Sequence, residues 1–526
     1  MFSPKSNMEI YDTTLRDGAQ NQEVNLNIHE KLEIAKALDD FGVDYIELGW
    51  PGSNEKELQT FLEASKLKLK KSKIAAFGST RRINLTAAQD PNLKAILDSK
   101  SPVATIFGKS WLLHVEKQLK ATPEENLEAI KDTLTFLIKN NLKVIYDAEH
   151  FFDGYKDNKE YALSTLKAAI ISGAKTIVLC DTNGGLLPWE LEQIIKEVQD
   201  YFNKNNLNVK LGIHAHNDAG NAVANTLIAV NLGIEHIQGT INGLGERAGN
   251  ADLCQVLPNL AIKMNKPLDV NLKSLTSLSA LVYTLTNMRP NHNQPFTGKN
   301  AFSHKGGIHV DAISKGASYE HISPELVGNK RQIILSDLSG KANIVEVVKK
   351  FGYNLDKTNP NIQKMLKEVE LLESKGYDIG SLESEQFLLT EKYFGALKNF
   401  FEIKNWDIRT RKINNKEFSE CILTGLVKGK EQEVLATVEG GPVDAIYKAI
   451  KKLLIDYKEV ASLKLIDYKV MIAQDKGIES SVRVYIELKA LDESFGTIGV
   501  STNILEASLE AIKKGFIYYL QKHLNN

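Results

Sequence analysis

Residues 143–150 read KVIYDAEH, residues 176–182 read TIVLCDT, and residues 210–218 read KLGIHAHND. Each stretch is a short apolar run that ends in polar side chains. Such runs are typical of buried strands in a parallel sheet. Amphipathic sequence lies between strand candidates, as in residues 189–204, WELEQIIKEVQDYFNK. The alternation predicts βα units repeated around a parallel sheet.

The same alternation covers the first half of the chain. We predict eight strands, which begin at Glu9, Asp44, Lys73, Val103, Lys143, Thr176, Lys210 and His236. Eight βα units within about 250 residues are typical of a (β/α)8 TIM barrel, whose active site forms at the carboxyl ends of the strands. We therefore expect an α/β fold with a TIM-barrel catalytic domain over residues 1–270.

Beyond the predicted barrel the pattern changes twice. Residues 271–400 lose the βα rhythm and are typical of helices joined by polar loops, so we expect helical linker subdomains there. Residues 401–526 show the order strand, strand, strand, helix, and then repeat it after about 60 residues. An internal repeat of this kind predicts a duplicated β/α domain that is separate from the barrel.

The composition argues against several classes of partner. The chain has 526 residues, with 65 Lys and Arg against 66 Asp and Glu, and a net charge of -1. This balance gives no electrostatic reason for binding nucleic acid or an anionic membrane. The amino-terminal stretch is polar, and no apolar run reaches the roughly 18 residues that a membrane helix needs. Cys180, Cys254 and Cys421 are widely spaced without a CxxC pair, which favours free thiols and a cytoplasmic location.

Two histidines in the seventh predicted strand indicate a metal site. His214 and His216 are two residues apart, so their side chains share one face of a strand, and Ala215 between them leaves space. Asp17 follows the first strand and can supply a carboxylate, and Asn250 follows the eighth and can supply an amide oxygen. We expect these residues to bind a divalent ion. Two imidazole nitrogens favour Zn²⁺, Mn²⁺ or Co²⁺ over Mg²⁺.

The loop after the eighth strand, residues 242–250, reads NGLGERAGN and is dense in glycine. One interpretation is a flexible connection. The other is a loop that lets the backbone approach a ligand and places Asn250 without crowding. The glycines are spaced as GxGxxxG, so the loop is not a dinucleotide-binding fingerprint.

Three motifs occur together in one known family. Residues 15–20, LRDGAQ, with Lys31 beyond them, residues 214–218, HAHND, and residues 242–250, NGLGERAGN, resemble the signatures of the isopropylmalate, homocitrate and citramalate synthases. The resemblance covers the barrel, the linker region and the carboxyl-terminal domain. It implies a metal-dependent acyltransferase that joins acetyl-CoA to a small 2-oxo acid and converts the acyl group to alkyl on transfer. It also implies a regulatory domain at the carboxyl terminus.

The resemblance assigns roles around the metal. Asp17, His214 and His216 would bind the ion, with Asn250 adjacent to it. Arg16 would bind the substrate and stabilise the oxyanion that forms from its keto group. These expectations agree with the ligand set inferred from the strand pattern.

Further roles follow from the same resemblance. Glu47 would hold the arginine and the metal-binding residues, Thr182 would bind the carboxylate of the 2-oxo acid, and His309 would lie near acetyl-CoA. The family's catalytic glutamate corresponds to Glu149, with Asp147 as the rival and a candidate for substrate binding, because the fifth strand departs from the Ser-x-Glu-Asp pattern of isopropylmalate synthases. The base that removes a proton from acetyl-CoA is therefore Glu149, Asp147 or His309.

Two stretches bear on the acceptor. Residues 48–54, LGWPGSN, resemble the citramalate synthase branch, and Arg-Asp-Gly at residues 16–18 departs from the Arg-Glu-Gly of homocitrate synthases. The resemblance implies that acetyl-CoA and pyruvate give citramalate and CoA, on the route to isoleucine. An isopropylmalate synthase, which uses 2-oxoisovalerate for leucine synthesis, is the alternative. A lyase is disfavoured because the glycine-rich loop lacks cysteine, and a non-catalytic amino-acid sensor because the expected ligands are all present.

Each half of the duplicated domain ends in a predicted helix that follows a turn rich in glycine or hydroxyl groups. Gly441 and Pro442 stand at the start of one helix, and Ser501 and Thr502 precede the other. Helix starts offer backbone N–H groups and a positive dipole to a carboxylate. We expect a homodimer with feedback inhibition by isoleucine at these residues. The alternative is a domain that only dimerises the chain.

Overall fold

The computed structural model describes residues 8–305, 319–474, 480–490 and 493–524. These residues form two compact units. The first unit holds residues 8–302 and 322–330, and the second holds the remaining described residues. The predicted domain boundaries at residues 270 and 400 stay predictions.

The first unit contains a closed barrel of parallel strands, in which each strand pairs with its neighbours in sequence and the last pairs with the first. The strands are β1 (Glu9–Asp12), β2 (Tyr45–Gly49), β3 (Lys73–Ser79), β4 (Val103–Lys109), β5 (Lys143–Glu149), β6 (Thr176–Asp181), β7 (Lys210–Ala215) and β8 (His236–Gly239). Seven of the eight predicted start residues are the observed ones, and β2 begins one residue later than predicted. The TIM-barrel prediction is confirmed.

Helices alternate with the strands. Their bounds are Ile28–Phe41, Glu55–Ala64, Pro91–Asp98, Leu112–His114, Pro123–Lys139, Phe151–Asp157, Lys159–Ile171, Pro188–Lys204, Ala222–Asn231, Leu253–Pro258 and Leu275–Leu285. Capping boxes fix some of the starts. Asn27 accepts a hydrogen bond from the backbone N–H of Glu30 at 3.0 Å, and the Glu30 carboxylate accepts from the N–H of Asn27 at 2.7 Å. Because these side chains satisfy the first N–H groups, the helix begins at a defined residue.

Alternation along the strands separates two cores. Ile10, Ile46 and Ile177 belong to the large apolar cluster that the strands share with the helices. Side chains on the opposite face of the strands point into the lumen of the barrel. They form a second, smaller cluster: Tyr11, Tyr45, Ala75, Val103, Ile145, Val178 and Cys180. Successive side chains of a strand point to opposite faces, which is why one strand serves both cores.

A charged network closes the amino-terminal end of the lumen. The Glu9 carboxylate accepts hydrogen bonds from the Tyr45 hydroxyl at 3.2 Å and from the Lys143 ammonium at 3.3 Å. It also pairs with Lys210 at 3.2 Å, and its second oxygen lies 3.0 Å from Nδ1 of His236. Each charged group of this network therefore has a partner of opposite charge or a hydrogen-bond donor.

The second unit carries the predicted duplication. Strands β9 (Ser303–His304) and β10 (Gln332–Ile333) form a short parallel pair. The other strands form two antiparallel sheets of three strands. Their bounds are β11 (Phe401–Ile413), β12 (Lys416–Val427) and β13 (Lys430–Glu439) in one sheet, and β14 (Lys464–Gln474), β15 (Ser481–Ala490) and β16 (Glu493–Ser501) in the other.

Five longer helices belong to the second unit. They are Lys341–Lys349, Pro360–Ser374, Glu383–Tyr393, Pro442–Leu453 and Ile504–His523. The last two each follow one sheet and share one apolar core with both sheets. The repeated order of three strands and a helix is therefore confirmed, and the first three helices occur where helical linker sequence is predicted. Within the described part of the chain, no helix combines the length and apolar character needed to cross a membrane.

Candidate active site

A cavity of about 450 Å³ opens at the carboxyl ends of the barrel strands. It brings together seven of the predicted site residues: Arg16, Asp17, Asp147, Glu149, Thr182, His214 and His216. Two further predicted residues, Glu47 and Asn250, are buried and hydrogen-bonded to members of this group. His309 lies outside the described residues. The four predicted effector residues lie in the second unit.

Three side chains in this cavity form a compact set of metal-ligand atoms. Asp17, His214 and His216 are buried, and one ligand atom from each lies within 4.8 Å of the others. The Nε2 atoms of the two histidines are 3.3 Å apart, and the Asp17 carboxylate lies 3.4 Å from Nε2 of His214 and 3.9 Å from Nε2 of His216. His214 lies on β7 and His216 follows the end of that strand, and the two rings lie on the same side as the i, i+2 spacing predicts.

Burial and charge set the protonation of this group. Burial alone would raise the pKa of Asp17, but the charge of Arg16 and the hydrogen bond from His214 outweigh it and hold that pKa well below its usual range. Burial and the neighbouring His214 lower the pKa of His216 to about 4. Asp17 is thus a carboxylate and His216 a neutral imidazole at neutral pH, which are the forms that bind a metal ion.

Gln238, which the motifs did not indicate, orients one of the histidines. It lies on β8, is fully buried, and its carbonyl oxygen accepts a hydrogen bond from Nδ1 of His214 at 2.8 Å. Its amide nitrogen donates to Asp147 at 3.1 Å. Because Nδ1 of His214 donates to Gln238, Nε2 is the ring nitrogen that is left to bind an ion. The lumen-facing alternation from His236 was the signal in the sequence that could have identified Gln238.

Asn250 holds the carboxylate of the cluster from the glycine-rich loop. Its amide nitrogen donates to Oδ1 of Asp17 at 3.2 Å and to the carbonyl of Leu244 at 3.0 Å. Gly249 beside it has φ +87°, and a Cβ atom there would lie 2.0 Å from the carbonyl oxygen of Gly243. The glycines therefore permit a close backbone approach that places Asn250, which agrees with the second interpretation of this loop.

The donor set fits a divalent cation. Two imidazole nitrogens and one carboxylate converge, and Oδ1 of Asn250 beside them is buried without a hydrogen-bond partner. A buried polar atom without a partner is unfavourable unless a ligand, ion or water satisfies it. Three protein ligands leave coordination positions for a substrate, as in catalytic rather than structural metal sites.

Arg16 lies between two carboxylates beside the cluster. Its Nε donates to Glu47 at 2.6 Å, and one terminal nitrogen donates to Asp17 at 2.9 Å. The guanidinium carbon lies 3.8 Å from the centre of the Phe77 ring. Burial alone would lower the pKa of Arg16, but the charges of Glu47 and Asp17 raise it above its usual range. The guanidinium is therefore a fixed positive charge in the cavity.

Glu47 is fully buried and accepts three hydrogen bonds. They come from the Tyr11 hydroxyl at 2.6 Å, the Thr13 hydroxyl at 2.5 Å and Nε of Arg16 at 2.6 Å. The Tyr11 hydroxyl also lies 2.6 Å from the Thr105 hydroxyl. Tyr11 and Thr13 were not identified from the sequence, where they are unremarkable members of a buried strand and its following turn. They fix the carboxylate that holds Arg16.

The two carboxylates of β5 have different environments. Asp147 is 3% exposed, and burial together with the charge of Glu47 raises its pKa to about 7. Glu149 has a side chain that is 23% exposed and forms an ion pair with Lys109. Lys109, at the end of β4, was also not identified from the sequence. Near neutral pH, Asp147 is thus partly protonated, whereas Glu149 is an accessible group with a cationic neighbour.

Thr182 lies at the rim of the cavity, just beyond the end of β6. Its hydroxyl oxygen accepts a hydrogen bond from the backbone N–H of His150 at 2.8 Å. Its carbonyl accepts from Arg247 at 2.8 Å, and Arg247 also donates from Nε to Asp218 at 2.8 Å. The hydroxyl hydrogen of Thr182 remains available for donation, because the oxygen serves as acceptor in the internal contact.

An aromatic group forms one wall of the cavity. Phe77 and Phe107 are stacked with their ring centres 5.2 Å apart, and Trp50 meets both edge-on at 5.8 and 5.7 Å. The indole N–H of Trp50 donates to Asn92 at 2.5 Å. Because these contacts fix the rings, the wall limits the width of the cavity beside Arg16.

The predicted effector residues occupy two unlike helix starts. Gly441 is the N-cap residue of Pro442–Leu453, and no side chain caps that helix. At Ile504–His523 the Asn503 side chain accepts from the N–H of Leu505 at 2.9 Å, and the Ser501 hydroxyl accepts from the N–H of Asn503. Thr502 is exposed. The uncapped start at Gly441 offers more of its N–H groups to a ligand than the second start does.

Three protein-family models match successive parts of the chain. The HMGL-like model matches residues 7–282, the homocitrate synthase post-HMGL domain-like model matches residues 296–376, and the LeuA allosteric (dimerisation) domain matches residues 382–520. Together they follow the barrel, the helical region and the duplicated domain in sequence order.

Relatives match almost the whole chain. An (R)-citramalate synthase from Aquifex aeolicus is 45% identical over 522 residues, 98% of each chain, and one from Geobacter sulfurreducens is 44% identical over 523 residues, again 98% of each. A probable 2-isopropylmalate synthase from Archaeoglobus fulgidus is 30% identical over 526 residues, 99% of each. A solved HMG-CoA lyase from Bacillus subtilis covers 55% of this chain and 97% of its own, with 22% identity and a TM-score of 0.47.

Proposed function

This chain belongs to the HMGL-like family and, within it, to the (R)-citramalate synthases, and we propose that it condenses acetyl-CoA with pyruvate to give citramalate and CoA. The 45% identity to a citramalate synthase, against 30% to an isopropylmalate synthase, favours this acceptor. The observation that carries the proposal is the cluster of Asp17, His214 and His216 beside Arg16 in the barrel cavity.

The cluster is suited to hold a divalent ion. When bound there, such an ion would chelate a 2-oxo acid and polarise its keto carbonyl. Asp17, His214 and His216 supply one carboxylate and two nitrogens, so we expect Zn²⁺, Mn²⁺ or Co²⁺ in preference to Mg²⁺. Elemental analysis of the purified protein checks this. Stoichiometric Mg²⁺ with no transition metal or zinc would contradict the ion that we propose.

Arg16 and Thr182 are placed to bind the acceptor. Glu47 and Asp17 engage Nε and one terminal nitrogen of Arg16, so the other N–H groups can donate to the keto oxygen as negative charge develops. The Thr182 hydroxyl can donate to the acceptor carboxylate. These contacts position the keto carbon for attack and need no movement of the protein groups at the moment of reaction.

Glu149 is our candidate for the base. It takes a proton from the acetyl methyl group, and that methyl carbon forms a bond to the keto carbon of the acceptor. The keto oxygen becomes an alkoxide that Arg16 stabilises and that then receives a proton. Water attacks the thioester carbonyl, and the bond to sulfur breaks to release CoA as the thiol. Asp147 with its raised pKa is suited to donate a hydrogen bond to substrate, and His309 is assigned a place near acetyl-CoA.

The aromatic wall favours a small acceptor. Phe77 and Phe107 limit the cavity beside Arg16, and pyruvate carries only a methyl group where 2-oxoisovalerate carries an isopropyl group. We infer that the alkyl group of the acceptor lies against these rings, which Trp50 contacts edge-on. Inserting extra carbons into a packed wall costs about 1–3 kcal/mol. Steric exclusion therefore supports pyruvate.

Thiol release from acetyl-CoA tests the proposed reaction. Pyruvate, 2-oxobutyrate, 2-oxoisovalerate and 2-oxoglutarate are compared side by side, each with and without enzyme. We expect the highest kcat/KM with pyruvate and citramalate as the product. A preference for 2-oxoisovalerate would move the assignment to 2-isopropylmalate synthase, and the absence of release with all four acceptors would contradict a condensing enzyme.

We also propose a cytoplasmic homodimer that isoleucine inhibits through residues 401–526. The LeuA allosteric (dimerisation) model over residues 382–520 supports dimerisation, and the three cysteines are free thiols. The helix starts near Gly441, Pro442, Ser501 and Thr502 are the proposed effector site. An effector bound at a second site typically changes the affinity of the active site for its substrate by roughly 5- to 150-fold.

Titration of isoleucine and leucine against turnover tests the effector, with sedimentation velocity to measure the oligomeric state. Gly441→Ala combined with Thr502→Ala should weaken inhibition by isoleucine and leave uninhibited turnover unchanged. Inhibition by leucine alone would favour the isopropylmalate alternative. Unchanged inhibition of the double variant would remove these helix starts as the effector site.

A further inference from the structure

Lys109 is a buried cation at the cavity that neither the motifs nor the family comparison single out. It is the last residue of β4, and it stands directly opposite Glu149, the last residue of β5, in the register of the two parallel strands. Phe107 precedes it by two residues and lines the cavity, so Lys109 shares the lumen face. The fold therefore places its side chain beside the candidate base.

The ion pair fixes one oxygen of the carboxylate. The Lys109 ammonium contacts Oε2 of Glu149, and the two side chains are 10% and 23% exposed. Oε2 itself is buried, although Glu149 lines the cavity. Oε1 is therefore the carboxylate oxygen of Glu149 that can contact a substrate. Oε2 makes no hydrogen bond within the described residues, so the ion pair with Lys109 is the contact that restrains this carboxylate.

The backbone of Lys109 is held independently of its side chain. The Lys109 carbonyl accepts a hydrogen bond from the Asn126 amide at 2.9 Å, and the same amide donates to the Tyr161 hydroxyl at 2.7 Å. The ammonium also lies 5.5 Å from the centre of the Phe107 ring, a contact that a methionine side chain can replace by packing. Replacing the lysine should thus leave β4 in place.

We propose that Lys109 is a positioning residue for Glu149: its ammonium group holds Oε2 and aims Oε1 at the methyl group of the bound acetyl thioester. The proposal rests on the proposed function, in which Glu149 is the base. It assigns Lys109 no contact with the substrate. Its effect should therefore appear only while the Glu149 carboxylate is present.

Lys109→Met removes the ammonium group and keeps a long apolar side chain. We expect kcat with pyruvate to fall by about 10²-fold, as for a small misplacement of a catalytic group. The KM for pyruvate and the metal content should change little, because Asp17, His214 and His216 are intact. Lys109→Arg keeps the charge and should recover most of the loss. Lys156→Met is the matched control, since its pair with Glu190 lies outside the cavity and turnover should not change.

A double-mutant cycle separates positioning from a general structural effect. In the Glu149→Gln background we expect Lys109→Met to change the residual kcat less than about threefold, because the carboxylate that it serves is gone. Thermal melting of each variant shows whether the fold is kept. If Lys109→Met fails to fold, Lys109→Arg and Lys109→Gln are carried through the same cycle.

The outcomes distinguish this inference from the proposed function. If the wild-type protein releases no thiol with pyruvate, the proposed function is wrong and the inference fails with it. If the wild type is active and Lys109→Met has the same kcat, or if it loses as much in the Glu149→Gln background as alone, only the role of Lys109 is overturned.

Discussion

The two ends of the barrel lumen contain similar side chains, but the balance between carboxylates and cations differs. At the amino-terminal end, a single carboxylate, Glu9, meets Lys143, Lys210, His236 and the Tyr45 hydroxyl. Every charged group there has an opposite partner within the network. This end is closed, and its residues stabilise the barrel.

The carboxyl end has an excess of acidic groups. Its carboxylates are Asp17, Glu47, Asp147 and Glu149, and the cations that contact them are Arg16 and Lys109. Two further cations of the cavity lining, Lys31 and Arg247, are paired with other carboxylates, Glu57 and Asp218. The raised pKa of Asp147 is one consequence of this imbalance. A divalent cation would offset this excess of negative charge.

The types of side chain present do not by themselves identify the functional end of a barrel. Both ends contain carboxylate, histidine and tyrosine side chains. The functional end differs because its carboxylates outnumber its cations and because it combines a compact set of metal-ligand atoms with an open cavity. Such an imbalance of buried charge is tolerated where a ligand offsets it.

The largest effect is expected when one histidine at each end of the barrel is replaced by alanine and the two variants are compared. His216→Ala removes a metal ligand, and we expect loss of the bound ion with a fall in kcat of about 10³-fold or more, since a Lewis acid contributes several kcal/mol. His236→Ala at the closed end should lower the melting temperature and keep both metal and turnover. Metal analysis and thiol release on the two variants measure this. Loss of metal in His236→Ala would remove the distinction between the ends.

Arg16→Lys tests whether the geometry of the guanidinium group, and not only its charge, is needed at the carboxyl end of the barrel. Lysine keeps the charge but cannot engage Glu47 and Asp17 through two nitrogens while a third faces the substrate. We expect kcat to fall by about 10²- to 10³-fold, as for the loss of an oxyanion donor, with the metal still bound. Steady-state kinetics with pyruvate measure it. An unchanged kcat would exclude Arg16 from the chemistry.

Gln238→Leu tests whether the orientation of His214 matters. Leucine cannot accept the Nδ1 hydrogen bond of His214, so the ring loses the partner that fixes its tautomer. Removal of such a partner typically weakens metal affinity about 10- to 100-fold. Competition with a metal indicator measures the affinity, and Gln238→Glu, which keeps an acceptor, is the control. Equal affinity in Gln238→Leu and the wild type would assign Gln238 to packing only.

A smaller effect, on the stability of the fold and not on turnover, is expected at the amino-terminal end. Burial alone would raise the pKa of Glu9, but the hydrogen bond and charge of His236 and the charges of Lys143 and Lys210 hold it below its usual range. A depressed carboxyl pKa stabilises the fold at pH values above the ordinary value of about 4, and this stabilisation is lost as the pH falls through the lower native pKa.

Glu9→Gln should therefore lower the free energy of unfolding by about 2 kcal/mol at pH 7. The difference from the wild type should shrink as the pH drops below about 4, because the unfolded chain takes up its proton there while the native carboxylate stays ionised until a lower pH. Urea unfolding at several pH values measures it. A difference that is constant with pH would contradict an electrostatic role.

The sequence predicted the barrel in detail because each strand is a short buried run bounded by polar residues. It indicated His214 and His216 as candidate metal ligands because residues two apart on a strand share one face, an argument that needs no knowledge of the neighbouring strands. It missed Gln238, Lys109, Tyr11 and Thr13 because their roles depend on which strand lies beside them and at what register. Register in a closed barrel is fixed by all eight strands together and is not visible in any one of them.

We propose that the carboxyl end of this barrel is a metal-dependent site for condensing acetyl-CoA with pyruvate. The most direct test removes bound metal with a chelator, confirms its loss by elemental analysis, and follows thiol release with pyruvate as a divalent ion is titrated back. We predict no turnover in the metal-free protein and recovery that saturates at one ion per chain. Full turnover with no ion bound would contradict the account.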